Sequence, residues 1–236
     1  MQIDINADLG EGAPHDAAIL PHITSASIAC GRHAGDADTM RRTIEAAAAA
    51  GVAVGAHPGF ADRAHFGRRE LPITPDEAYT MVTMQVCEFR DAAAALRVPM
   101  VHVKPHGALY TMAARGRDLA NAIARAVRDT DPELALMGLA GSALVAAGIA
   151  HGLRTLAEAF PDRGYAPDGT LLPRSSAGAI VSDPATAATR AVEMAQRGGI
   201  DTLCIHGDAH GAPEIARAVR DALEAAGFAV TAGAAR

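Results

Sequence analysis

Short apolar or β-branched runs alternate along the chain with longer alanine-rich stretches. The short runs predict strands over 3–7, 26–30, 52–56, 100–104, 134–137, 154–157 and 202–206. The alanine-rich stretches predict helices over 37–50, 75–96, 117–129, 142–150, 184–196 and 212–226. Their ends carry the expected punctuation. Thr74-Pro75 and Asp183-Pro184 each place a cap residue before a proline at the first helical position. Gly51 and Gly227 stand where a C-terminal cap belongs. Strands that alternate with helices imply parallel pairing through right-handed crossovers. Seven such strands fit either an open doubly wound sheet or a closed barrel, and periodicity does not separate the two. No linker or low-complexity segment divides the chain, so one α/β domain over 1–236 is expected. The least regular stretch, 161–176, follows the sixth strand, and long loops in compact domains are often functional.

Composition narrows the function classes. Half of the 236 residues are apolar, enough for a large core. No apolar run approaches the ~18 residues of a membrane span. The opening MQIDINADLGEG is acidic where a signal peptide would be basic and then apolar. Three cysteines do not make a disulfide framework. A net charge of −6 with three Tyr, five Phe and no Trp argues against nucleic-acid binding. A soluble cytoplasmic protein is expected. Of the 21 basic residues only Lys104 is a lysine. Where arginine serves as the generic cation, a retained lysine suggests a need for its compact ammonium.

Chemistry-bearing residues gather at the predicted carboxyl ends of the strands, the face on which parallel α/β proteins build their sites. The first strand runs into Asn6, Asp8 and Glu11, and the second into Cys30 and His33. The third ends in His57-Pro-Gly, the fourth in Lys104-Pro-His106-Gly and the last in His206-Gly-Asp208; the sixth leads to Asp162 and Arg163. Each piece alone has a bland reading. A single histidine at a strand end is as often a structural hydrogen-bonding residue, and Cys30 fits a small buried side chain better than a nucleophile. His102, flanked by Val101 and Val103, reads as pointing into the protein. The joint occurrence is what indicates an active site. Two chemistries remain open: an acid with two or three histidines holding a divalent metal, or metal-free acid–base chemistry with Lys104 and Arg163 binding an anion. No HExxH or CxxC spacing is present, and neither GxxxxGK[ST] nor GxGxxG provides a nucleotide site.

The ordered segments IDINADLGEG, ITSASIACGRHAGD, VAVGAHPGF with FGRR, HVKPHGALY, GLAGS, EAFPDRGYAPDGTLLPR and CIHGD resemble the LamB/YcsF family, the A subunits of 5-oxoprolinases, from Gln2 to about Leu223. The resemblance implies a seven-stranded TIM-like (β/α) barrel related to the glycoside hydrolase/deacetylase superfamily. It also implies an ATP-dependent opening of 5-oxo-L-proline to L-glutamate, with ATP as co-substrate and subunits B and C as partners. In that reaction Asp8, His57, Lys104, His106 and Asp208 are the expected catalytic residues. Asn6, Glu11, Cys30, His33, Arg163, Arg174 and His206 are the expected substrate contacts. The kinship with deacetylases, which hold a metal with one Asp and two His, makes Asp8 with His57 and His33 or His106 a candidate divalent-metal set. Two alternatives stand beside this reading: a self-sufficient metal-dependent amidase or deacetylase, and a lactam-binding protein without catalysis. The chain departs from the family pattern at Arg32, usually aromatic, which could face solvent, pair with Glu11 or add an anion contact. It departs again at Phe60-Ala61, where Tyr-Pro is usual.

Overall fold

Seven parallel strands close on themselves in a computed structural model that describes residues 1–208 and 211–233. In chain order these are β1 (Gln2–Leu9), β2 (Ser25–Ala29), β3 (Ala53–His57), β4 (Met100–Val103), β5 (Ala135–Leu139), β6 (Thr155–Ala159) and β7 (Thr202–His206). β1 seals the ring by pairing with both β2 and β7, setting Asn6 against Ser25 and Cys204, and Asp8 against Ser27 and His206. Closure removes both free edges of the sheet and decides for the barrel over the open sheet. A two-residue β8 (Ala229–Val230) pairs with the start of β1.

The outer layer comprises α1 (Asp16–Ile19), α2 (Ala37–Ala49), α3 (Pro75–Ala95), α4 (Gly107–Arg115), α5 (Arg117–Thr130), α6 (Ala143–Ala150), α7 (Pro184–Arg197) and α8 (Ala212–Ala225). Local chemistry fixes their starts. Thr74 and Glu77 form a reciprocal capping box on α3, and the Asp183 side chain accepts from Thr186 N on α7; each cap contributes ~1 kcal/mol. The sequence predicts no helix over 107–115. α4 has no side-chain cap and starts at Gly107 with φ +55°, so it lacks the ordinary start signals. No helix among the described residues is long and apolar enough to cross a membrane.

The strands are buried on both faces, with opposite chemistry on each. Along β1, Ile3, Ile5, Ala7 and Leu9 join the apolar layer beneath the helices with Ile44, Phe89, Ile123 and Ile215. The alternate residues Asp4, Asn6 and Asp8 belong to a polar barrel interior. Burying polar groups is unfavourable unless they are hydrogen-bonded, and Asp4 and Asn6 are. Asp4 accepts from Thr24 and Ser25 on one oxygen and from Thr202 on the other. Asn6 donates to Thr202 and to Glu158. His102 points inward, as expected, and meets Ser27 at 3.1 Å; Gly55 makes room for it, because a β-carbon there would collide with the ring. Burial, then the nearby Lys104, pushes the His102 pKa down to about 3.

Candidate active site at the carboxyl ends of the strands

Lys104, one residue past β4, rises inside the barrel to the level of Asp8. Its ammonium lies 2.8 Å from Asp8 Oδ1, 2.8 Å from Glu158 Oε1, 3.0 Å from Asn6 Oδ1 and 3.1 Å from Cys204 Sγ, and the residue is 2% exposed. Burial by itself would lower the lysine pKa. Asp8, Cys204 and Glu158 outweigh it and hold the pKa well above the ordinary value. Asp8 shows the converse. Burial would raise it, but His57 and Lys104 hold it well below the usual carboxylate range. Tyr110, on α4, donates to Glu158 Oε2 at 2.7 Å; burial, then Glu158, keeps this phenol protonated.

A second cluster stands beside the first. The tip of β3 carries His57, and the loops after β1 and β2 bring Glu11 and His33. His106 precedes α4, its amide bonded to the Pro58 carbonyl. Glu11 Oε1 is 3.0 Å from His33 Nε2, 3.0 Å from His106 Nδ1 and 3.7 Å from His57 Nε2. The His33 and His106 rings stack at 3.7 Å with 1° between planes. Two glycines permit this. A β-carbon at Gly59 would lie 2.8 Å from His33 Nδ1, and one at Gly67 2.8 Å from His33 Cβ. Gln85 of α3 grips Gly59 by both its amide and its carbonyl. Phe66 takes the left-handed conformation at φ +55°, a strained state for a bulky residue, and its carbonyl receives His106 Nε2 at 2.8 Å. Burial pushes His33 down to about 4 against its bond to Glu11, and likewise lowers His106. His57 is raised, because Asp8 outweighs the effect of burial. Glu11 falls below the usual carboxylate range, since His106 and His33 outweigh its burial.

These groups floor a cavity of about 330 Å³. The buried Asp8, His57, Lys104 and His106 line it together with Phe160, His206 and the more exposed Arg68 and Arg174. His206 Nδ1 donates to the buried Asp162 at 2.9 Å, and its backbone N–H donates to the same oxygen. His206 Nε2 therefore remains as its second polar atom.

The sequence-predicted residues sort accordingly. Asn6, Asp8, Glu11, His33, His57, Lys104, His106 and His206 come together in or beneath the cavity. Asp208 sits on the rim, exposed, between Arg68 at 2.7 Å and Arg174 at 3.7 Å. Arg163 lines the cavity, but its Nε and Nη2 donate to the carbonyls of Ala179 and Leu172, so it braces the 161–176 loop. Cys30 lies elsewhere, in the apolar layer with Ile28 and Ile44; burial pushes its thiol up to about 12. Arg32 forms a two-pronged pair with Glu88 on α3 and not with Glu11. Glu158, Tyr110 and Arg68 enter the site without having been predicted, and Asp162, noted only at the exit of the sixth strand, enters as the partner of His206. The signal for Glu158 was present: an acid between Ala157 and Ala159, one residue beyond the predicted end of the strand.

Fold and site together define a TIM-like barrel with its polar groups gathered at the carboxyl ends of the strands. The chain belongs to the LamB/YcsF family, whose model matches residues 3–236. It is 49% identical over 250 residues to the 5-oxoprolinase A subunit of Heliobacterium modesticaldum, covering 99% of this chain and 98% of that protein. The crystal structure of a lactam utilization protein from Thermus thermophilus superposes with a TM-score of 0.91 at 45% identity, covering 98% of this chain and 100% of the other. A peptidoglycan deacetylase from Bacillus subtilis shares the fold alone, with a TM-score of 0.53 at 12% identity over 98% of this chain and 86% of that one.

Proposed function

We propose that this chain is the lactam-opening subunit of a cytoplasmic, ATP-dependent 5-oxoprolinase, working with two partner subunits to convert 5-oxo-L-proline and water to L-glutamate as ATP becomes ADP and phosphate. The observation that carries this reading is the sorting of charge along the cavity. Arg68 and Arg174, with side chains 32% and 28% exposed, share the cavity with the buried Asp8, His57, Lys104 and His106, in a chain whose close relatives are named for this activity.

A five-membered lactam is a poor electrophile, and activation of its oxygen by ATP would supply both driving force and leaving group. The substrate carboxylate, and charge developing on a transferred phosphoryl group, call for fixed cations at the cavity mouth. Arg68 and Arg174 provide them once Asp208 is displaced. His206 is the acid–base group that the geometry favours: Asp162 holds its Nδ1, and Nε2 is left to move a proton between water and the departing nitrogen. Asp8 is held too strongly ionised to be an effective base. Its part is to seat Lys104, whose ammonium supplies a fixed positive field below the reacting carbon. His57 and His106 complete the floor.

The test is reconstitution. The chain is mixed with partner subunits, 5-oxoproline and ATP, and glutamate release is followed with each component omitted in turn. Release that requires all of them supports the reading. Lactam opening by the lone chain without ATP would replace it with a self-sufficient amidase, and unchanged turnover of an Asp8→Asn, Lys104→Arg double variant would leave only a binding role.

A further inference from the structure

We propose that Glu11, His33, His57 and His106 form a binding site for one divalent first-row transition metal ion of the zinc class. This differs from the set expected by kinship with deacetylases, because its carboxylate is Glu11 and not Asp8. The assignment rests on donor geometry and stands independently of the lactam reading.

One donor atom from each of the four residues lies within 4.8 Å of all the others. Tetrahedral ligands about 2.0–2.1 Å from a zinc-class ion stand about 3.3 Å apart, and the separations here of 3.0, 3.0, 3.0 and 3.7 Å bracket that value. Hydrogen-bond bookkeeping points the same way. A carbonyl oxygen only accepts, so His57 Nδ1 carries a proton for the Lys104 carbonyl at 2.7 Å, and His106 Nε2 carries one for the Phe66 carbonyl. In the neutral rings His57 Nε2 and His106 Nδ1 then face each other at 3.0 Å as two lone pairs. Only a cation between them, a proton or a metal, makes that arrangement favourable. Backbone carbonyls that fix the outer N–H of each ring are the usual supports of metal-bound histidine. His33 is 1% exposed and brings Nε2 to 3.0 Å from Glu11 Oε1, while its Nδ1 has no hydrogen-bond partner. Binding an ion through Nε2 displaces the proton that this nitrogen now donates to Glu11.

Asp8 is poorly placed for the same task. One of its oxygens is held by the Lys104 ammonium at 2.8 Å, and the other is 3.4 Å from His57 Nε2. A second cluster of donor atoms among the described residues, Asp8 with Cys204 and His206, shares two of its members with that same ammonium, which lies 2.8 Å from Asp8 and 3.1 Å from Cys204 and already supplies a cation there. Three imidazoles and one carboxylate suit zinc, cobalt or nickel better than magnesium or calcium. His57 and His106 also line the cavity, so the ion site adjoins the reaction chamber.

The test uses the full, tag-free chain stripped of metal and titrated with Co²⁺, followed by visible absorption and by elemental analysis. One Co²⁺ per chain, displaced by Zn²⁺, is expected. Glu11→Gln and His33→Gln should each weaken binding by at least about tenfold, with circular dichroism unchanged. Asp8→Asn should keep stoichiometric binding within tenfold of the parent. Should His33→Gln fail to fold, the isosteric Glu11→Gln carries the test. Absence of saturable binding overturns the proposal, as does full binding by Glu11→Gln. A more than tenfold loss in Asp8→Asn overturns the donor set.

Discussion

Two polar clusters share the top of one barrel, and they differ in completeness. Around Lys104, the three ammonium protons meet Asp8, Glu158 and Asn6, and the remaining acceptor on Glu158 is filled by Tyr110. Around Glu11, three imidazoles crowd one carboxylate, two ring nitrogens face each other, and His33 Nδ1 has no partner. A finished network rigidifies and positions, whereas a half-satisfied one persists only where something else completes it. The lysine cluster is therefore the fixed electrostatic floor of the site. The histidine cluster is the part built to receive.

The sharpest break between them is expected on truncation. Lys104→Ala leaves Asp8 and Glu158 as buried carboxylates without a cation and should destabilise the fold by about 3–5 kcal/mol in chemical denaturation. A loss below about 1 kcal/mol would mean that the cluster is not closed. Lys104→Arg keeps the charge but replaces a compact ammonium, sealed at 2% exposure, with a planar fork that cannot meet the same three acceptors. Turnover of the reconstituted enzyme should fall about a hundredfold, on the scale of other misplaced catalytic groups; normal turnover would show that charge alone matters there. Gly67→Ala strikes the histidine side. It forces a β-carbon against His33 and His106 at a φ of +63°, and a loss of ~1–3 kcal/mol is expected, read as a lower denaturation midpoint. Glu11→Gln in the metal-free chain should cost less than Lys104→Ala, because the isosteric amide leaves no buried carboxylate without a cation and its oxygen still accepts from the facing histidines; a loss as large as that of Lys104→Ala would erase the distinction.

The smallest effect lies at the barrel floor. Burial raises the Asp4 pKa above its ordinary value despite its bonds to Thr202, Thr24 and Ser25. A carboxyl with a raised folded-state pKa contributes stability that is present below the unfolded value, near 4, and is lost as pH rises through the folded value. The stability of the parent relative to Asp4→Asn should thus fall as pH rises above about 4. A flat difference across that range would contradict it.

Much of this was legible in the sequence. The seven barrel strands fall within two residues of where the runs predict them, since short apolar segments bounded by Gly, Pro and cap residues mark their own limits. Closure was not legible: Ile5 or Val103 reads the same on a sheet buried by two helix layers as on a barrel wall. α4 escaped because Pro105 and Gly107 read as a loop and His106 offers no side-chain cap. His57, Lys104 and His106 stood out because each stands at a strand exit next to Gly or Pro, and Asp8 because it follows the first strand between Asn6 and Glu11. Glu158 and Arg68, and the pairing of Asp162 with His206, became visible only in space. Each is partnered from 44 or more residues away, and no local pattern encodes such a pairing. Cys30 shows the opposite failure, since adjacency to the Gly-Arg-His turn placed it near the site in sequence while strand parity turned it toward the helices.

The contrast between a finished and an unfinished cluster is tested most directly by the side-chain nitrogen resonances of the histidines, recorded before and after one equivalent of Zn²⁺. The outer nitrogens, His57 Nδ1 and His106 Nε2, should carry protons in both states. The inner pair, His57 Nε2 and His106 Nδ1, should move together with His33 Nε2 to the position of metal-bound nitrogen, while His102 and His206 stay in place. Inner nitrogens that do not respond to the ion, or a response confined to His206, would contradict the account.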